Sequence, residues 1–215
     1  MKKSTFLSCL LLCLFFSSPL FSQTWSWGIQ AGGNYTDFTG DDNAVDFGNA
    51  KAGFQAGAKL TWFFPGKIFL GTEINWERKR GGSDILLTDE NGEPLEDTEA
   101  IGNFDYLTLP VLVGYFPGNQ RRFYLQAGTS FAYLLSQKVV FDSEFFDDFD
   151  GKANYKSVDV LATAGLGALL LPNEKIRLSV AARSSFGLLN INEKYPGKMQ
   201  SISIQGLAGL EFNLN

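Results

Sequence analysis

Histidine is absent, and the only two cysteines, Cys9 and Cys13, fall within the first thirteen residues. The missing imidazole removes the side chain most often used as a general base near neutral pH and the commonest metal ligand. Both cysteines sit in an apolar stretch behind Lys2 and Lys3, so a disulfide framework and thiol chemistry are excluded from the rest of the chain. Long hydrophobic runs are scarce too. Although 45% of the residues are hydrophobic, mean hydropathy is only -0.03, and the stretch from Phe6 to Phe16 is the only one to come close. This excludes a bundle of transmembrane helices, each of which needs about 20 apolar residues. The basic start, short apolar core and following SSPLFSQ make residues 1–22 a signal peptide, with cleavage expected after Ser22 and a single domain over 23–215. A lipoprotein site at Cys9 does not fit, because too few residues precede it. Net charge is -5, whereas nucleic acid calls for a basic footprint.

What the chain has is a period of two. It ends in SISIQGLAGLEFNLN, residues 201–215, where Ile202, Ile204, Gly206, Ala208, Leu210, Phe212 and Leu214 alternate with mostly polar neighbours. Such alternation makes a strand with one apolar and one polar face. The pattern recurs in Trp25 to Tyr35, Gly53 to Phe64, Ile68 to Arg80, Phe104 to Phe116, Phe123 to Leu135, Val158 to Leu170 and Ile176 to Leu188, giving eight strands. A tilted membrane strand needs about 9 to 11 residues, and each of these segments supplies them. Pro110 cannot donate to a ladder, so a bulge is expected there.

The connections alternate in length. Pro65-Gly66-Lys67, PGNQR at 117–121 and PNEK at 172–175 are short, while residues 37–50, 81–102, 138–154 and 190–199 form long loops. Short turns therefore share one end of the sheet and long loops the other, as in outer-membrane barrels with periplasmic turns and extracellular loops. Alternation alone also suits a soluble lipocalin-like barrel with its apolar face inside. The polar face decides between them: it is mostly Gly, Ser, Thr, Gln and Ala, with Leu161, Leu169 and Leu207 among them, and so reads as a packed lumen. Aromatic residues stand near the strand ends, with Trp25, Trp27, Trp62, Phe64, Tyr115, Phe123 and Phe212 toward the turns and Tyr35, Trp76, Tyr133 and Phe186 toward the loops. That is the pattern of interfacial girdles. The expected fold is all-β, an eight-stranded antiparallel up-and-down transmembrane β-barrel whose last strand closes on the first.

The segments WGIQAGGNYTDF, GFQAGAKLTWFF, FDYLTLPVLVGYF, YLQAGTSFAYLL and GLAGLEFNL, together with the signal peptide, resemble the PorT-type outer-membrane β-barrel family over essentially the whole mature chain. The resemblance implies a porin-like barrel in the outer membrane of a Gram-negative bacterium. The founding member of that family serves a protein secretion and gliding pathway. Its motifs are structural, and none carries a catalytic position to this chain.

Three groups of residues are candidates for function. Lys59, Glu73, Glu77, Asp159, Arg177, Arg183 and Glu211 fall on the lumen face, where charge is costly unless paired. The PGK turn places Lys59 directly opposite Glu73, and a pair is expected between them. Arg78, Lys79 and Arg80 stand at the loop end of the third strand, level with lipopolysaccharide phosphates, which guanidinium groups suit well; the alternative reading is that they neutralise the seven carboxylates of the adjoining loop. In the stretch FDSEFFDDFD, Phe141, Phe145, Phe146 and Phe149 form a candidate interaction patch for another protein, with packing over the barrel mouth as the alternative. Seventeen of the 23 acidic residues lie in the four long loops. DENGE at 89–93 and DDFDG at 147–151 fall short of a full calcium loop, and a solvated, mobile surface is expected. No catalytic residue, metal or cofactor is expected. The reading is a non-enzymatic monomer acting in structure or surface interaction, in contact with outer-membrane lipid, lipopolysaccharide and other envelope proteins. Two alternatives are a narrow channel or transport accessory, and a soluble periplasmic binder of apolar ligands.

Overall fold

The computed structural model describes residues 24–40, 47–88, 94–142, 147–172, 176–194 and 197–214. The expected signal peptide lies outside the described residues. The strands are β1 (Thr24–Gly40), β2 (Asn49–Phe63), β3 (Ile68–Thr88), β4 (Pro94–Tyr115), β5 (Phe123–Phe141), β6 (Phe149–Asp150), β7 (Val158–Pro172), β8 (Ile176–Gly187) and β9 (Met199–Leu214). All but the two-residue β6 form one closed ring in chain order, each antiparallel to its neighbours. β9 returns to β1 with an unbroken register from Trp25 opposite Leu214 to Gly40 opposite Met199. Closure leaves no row of unpaired amides facing hydrocarbon.

The turns hold the ring together at one end. In the first, Gly66 has φ of 98°, a left-handed conformation that a Cβ would oppose, and Phe64 N–H donates to the Ile68 carbonyl at 3.1 Å. At the other end the strands run on past their expected limits. Residues 81–102, read as a loop, are mostly the continuation of β3 and β4, which stay in register from Gly81 opposite Gly102 to Leu87 opposite Glu96. Acidic and glycine residues interrupt the apolar alternation there, but ladder bonds are backbone bonds and propagate regardless. Similarly, β6 pairs with Lys138 and Val139 of β5, beyond the point where the β5–β7 pairing stops at Tyr133 opposite Val158.

The bulge expected at Pro110 is not there. Pro110 pairs regularly with Ser130 of β5, and on its other side the β3–β4 register is the same before and after it, with no bridges between Thr72–Val111 and Asn75–Thr108. The missing N–H is absorbed by a local gap in the ladder. In the β4–β5 ladder the irregularity lies elsewhere, where Leu135 is the extra residue between Asp105–Ser136 and Tyr106–Leu134.

The apolar face points outward. Ile204 is 64% exposed and Phe123 68%, and Trp27, Ile29, Leu109, Val113, Leu166 and Leu170 are likewise exposed. The girdle residues lie on this outer wall: Trp25 stacks on Trp62 and Trp62 on Phe64, both at 4.8 Å between ring centroids, and Trp27 meets Phe212 at 5.0 Å. A surface of this kind belongs in lipid, and it overturns the soluble-binder alternative, which needs these side chains inside.

Candidate functional site

The lumen is built in three layers. At the turn end, Phe63, Phe69, Phe116, Tyr124 and Leu169 pack together. At the loop end, Phe38, Phe47, Phe104, Tyr106, Leu134, Tyr155, Ile191 and Met199 belong to a larger apolar cluster. Between the two plugs lies a polar band. Inward-facing aromatics follow from strand parity, since Phe104 and Tyr106 alternate with the outward Leu107 and Leu109, but the apolar stripe draws the eye to the other face.

Glu73 sits at the centre of the band. Arg183, reaching across from β8, donates Nη1 to its Oε2 at 2.8 Å and Nη2 to its Oε1 at 2.5 Å. Gln30 Nε2 and Asn75 Nδ2 also donate to Oε2, at 2.6 and 3.1 Å. The expected Lys59–Glu73 pair is therefore not formed, although the two residues do stand opposite in the β2–β3 register. The planar fork of Arg183 occupies both carboxylate oxygens, which a single ammonium cannot do. Lys59 instead pairs with Glu211 at 2.5 Å and donates to Ser179 Oγ at 3.0 Å, while Ser26 donates to Glu211 at 3.1 Å. Lys59 and Glu211 are both register partners of Gly28, one on either side. Because Gly28 has no side chain, the ion pair passes over it; a Cβ there would lie 3.1 Å from Glu211 Cγ and 2.3 Å from the Leu210 carbonyl oxygen.

The other lumen charges find separate partners. Glu77 accepts from Asn34 at 3.3 Å and Gln205 at 3.1 Å, Asp159 accepts from the Val160 N–H at 2.8 Å, and Arg177 lies 4.5 Å over the Phe63 ring. All seven lumen candidates thus face inward, but as two ion pairs and three separately held charges. The space left among them is small: a void of about 30 Å³ beside Glu73 and Glu211, and one of about 10 Å³ beside Glu77. Those volumes are on the scale of single water molecules.

The basic cluster is split by the strand period. Lys79 is only 1% exposed; it faces the lumen, donates to Ser201 Oγ at 3.1 Å and lies 5.3 Å over the Tyr106 ring. It is corrected from phosphate contact to interior residue, since alternation sends it to the same side as Glu73 and Glu77. Arg78 and Arg80 stay on the outer wall. Arg78 makes a two-pronged pair with Asp105 at 2.6 and 2.8 Å beside the Trp76 and Phe54 rings, and Arg80 donates to Asn103 at 3.1 Å.

At the loop end, Phe141 packs against the inner cluster and meets the half-exposed Phe149 at 6.0 Å. Phe145 and Phe146 lie outside the described residues, as does the acidic stretch 89–93. Within 147–151, Asp148 accepts from the Phe141 N–H at 3.4 Å and Asp150 from the Lys152 N–H at 2.9 Å, so these carboxylates tie down backbone.

The barrel architecture is shared with solved structures. Ail, the attachment invasion locus protein of Yersinia pestis, solved in complex with the heparin analogue sucrose octasulfate, is 16% identical with a TM-score of 0.50, over 87% of this chain and 99% of that one. Neisserial surface protein A is 12% identical with a TM-score of 0.46, over 86% and 96%. The outer membrane protease OmpT from Escherichia coli is 9% identical with a TM-score of 0.42, over 89% and 97%. No curated protein matches the chain. Residues 21–193 match the sequence model of the outer membrane protein beta-barrel domain, a span that ends before the closing strand β9. With the closed ring and its lipid-facing apolar wall, this match places the chain in the outer membrane protein beta-barrel domain family, as an integral protein of the outer membrane.

Proposed function

We propose that the protein is a non-enzymatic surface barrel that works through its exterior end, as a structural or adhesive element of the envelope. The observation that carries this reading is the closed lumen. Aromatic plugs stand at both ends, an arginine–carboxylate pair spans the middle, and the voids beside Glu73, Glu77 and Glu211 in that middle band are on the scale of single waters. A wall without a conduit leaves the loops as the place of action. Their acidic character suits partners of positive charge, the opposite sign from the sulfated ligand bound to Ail. Arg78 and Arg80, on the outer wall near the loops, suit lipopolysaccharide phosphates, and the protein acts as a monomer. The finer placement among PorT-type barrels rests on the sequence segments quoted above.

Planar-bilayer recording of the purified protein tests the reading. No steady conductance is expected; a steady, ion-selective conductance overturns it in favour of the narrow channel. In parallel, proteoliposomes should be retained on a polylysine surface, less so as salt rises or when Asp84, Asp142 and Asp147 are changed to Asn. Retention indifferent to both changes removes the acidic loops from the proposal.

A further inference from the structure

The outer wall at the loop end carries cations of two kinds. Arg78 is spent on Asp105, and Lys51 on Glu99. Arg80 and Lys138 have no carboxylate partner among the described residues: Arg80 donates only its Nε, to Asn103 Oδ1 at 3.1 Å, and Lys138 is exposed. The sheet sets the three residues in one row, with Arg80 on β3 opposite Asn103 on β4, and Asn103 opposite Lys138 on β5. Adjacent strands lie about 4.8 Å apart, so the two cations flank Asn103 at roughly 10 Å from each other, and both side chains are long enough to converge over it. Because Asn103 Oδ1 accepts from Arg80, its Nδ2 is left as a donor beside the two Nη groups of Arg80 and the Lys138 ammonium. The carboxylates nearby are engaged: Asp84 accepts from Asn49 at 2.9 Å, and Asp150, opposite Lys138 on β6, accepts from the Lys152 N–H at 2.9 Å. The row runs parallel to Trp76, Leu107 and Tyr133, which stand opposite one another on the same three strands at the loop-side girdle. From Trp76 to Arg80 is about 13 Å along the strand, or about 10 Å in height at a tilt near 40°. The headgroup layer of a phospholipid bilayer is only about 5–7 Å thick on each side.

We propose that Arg80, Asn103 and Lys138 form a seat for one sugar-borne phosphate of an outer-leaflet glycolipid, whose chains lie over Trp76, Leu107 and Tyr133. The proposal rests on the reading that this wall meets lipopolysaccharide, and it names the residues and the group that meet. Two Nη donors match two phosphate oxygens, and the ammonium and the amide take the others. The height of the row selects the lipid: a phosphate on glycerol stays within the headgroup layer, whereas one carried on a sugar stands further out. A soluble sugar phosphate gains nothing from the apolar row below, which a lipid chain covers. Arg78 acts at one remove. It compensates Asp105, two residues from Asn103 on the same face, so its loss bares a carboxylate beside the seat.

Native mass spectrometry of the full barrel released from detergent micelles, titrated with diphosphoryl lipid A, phosphatidylglycerol and glucose 1-phosphate, tests the seat. Lipid A should bind at least about tenfold tighter than either of the others. Arg80→Met and Lys138→Met, checked for folding by their heat-dependent gel shift, should each remove most of that margin. Lys51→Met takes the same charge from the same row, opposite Arg80, but one already spent on Glu99, and should change lipid A binding by less than about twofold. Lipid A binding no tighter than phosphatidylglycerol overturns the seat together with the lipopolysaccharide reading. A margin that survives Arg80→Met and Lys138→Met combined overturns the seat and leaves that reading standing. A loss from Lys51→Met equal to that from Lys138→Met also overturns it, because net charge then accounts for the binding. The comparison of lipids uses unmutated protein and stands even if a variant fails to fold.

Discussion

Replacing Arg183 with Met isolates the interaction at the centre of the lumen. The substitution removes both prongs of the fork on Glu73 and leaves a 6%-exposed carboxylate with only the Gln30 and Asn75 amides. Breaking a buried ion pair on one side costs about 3–5 kcal/mol, because the surviving charge stays desolvated and uncompensated. The two retained amide bonds place the expected loss toward the lower end, near 3 kcal/mol. Exchanging both partners, as Glu73→Gln with Arg183→Met, removes the stranded charge and should recover more than half of that loss. Urea titration in lipid vesicles, followed by the ratio of folded to unfolded gel bands, measures both. A single-mutant cost below about 1 kcal/mol, or a double mutant no more stable than the single, refutes the reasoning that Glu73 depends on Arg183. Lys59→Met serves as the contrast. It should leave Glu73 untouched, so its effect should add to that of Arg183→Met, with any coupling confined to Glu211.

Phe104→Ala should cost about 3–5 kcal/mol by opening a cavity in the loop-end plug, where Phe104 is fully buried against Phe38, Phe47 and Tyr155; a cost within 1 kcal/mol in the same titration contradicts the packed plug. Gly28→Val should cut the yield of the heat-modifiable folded band on refolding, because its Cβ meets backbone of β9 that cannot move without parting the closing seam; an unchanged yield contradicts that tight approach. Arg80→Ala and Arg78→Ala should each weaken retention on lipopolysaccharide-containing vesicles relative to phospholipid ones, whereas Lys79→Ala should leave the difference unchanged and lower folded stability instead. A Lys79 variant that loses lipopolysaccharide preference while remaining fully stable contradicts its interior position.

The Lys79 result shows how far a period of two carries when it is applied consistently. The alternation that places Glu73 and Glu77 in the lumen places Lys79 there as well, two residues further on. Grouping it with Arg78 and Arg80 follows charge type across a strand whose neighbouring residues face opposite sides. The loop ends were less legible, because residues 81–102 lose the apolar rhythm while keeping the backbone ladder. Pro110 fits the sheet through a gap in one ladder, a solution that composition does not reveal.

The sequence by itself determined the eight strands of the ring, their chain order, the outward direction of Trp27, Ile204 and their kind, and the inward direction of Lys59, Glu73, Arg183 and Glu211. Each of these follows from local alternation and turn length, which need no distant contact. Only the tertiary structure decided which inward charges meet. Arg183 reaches Glu73 from strands that are not neighbours, and Lys59 reaches Glu211 over the bare backbone of Gly28. In a barrel this narrow, the side chain directly opposite competes with every side chain that can cross the lumen, and the better-matched hydrogen-bonding geometry takes the carboxylate.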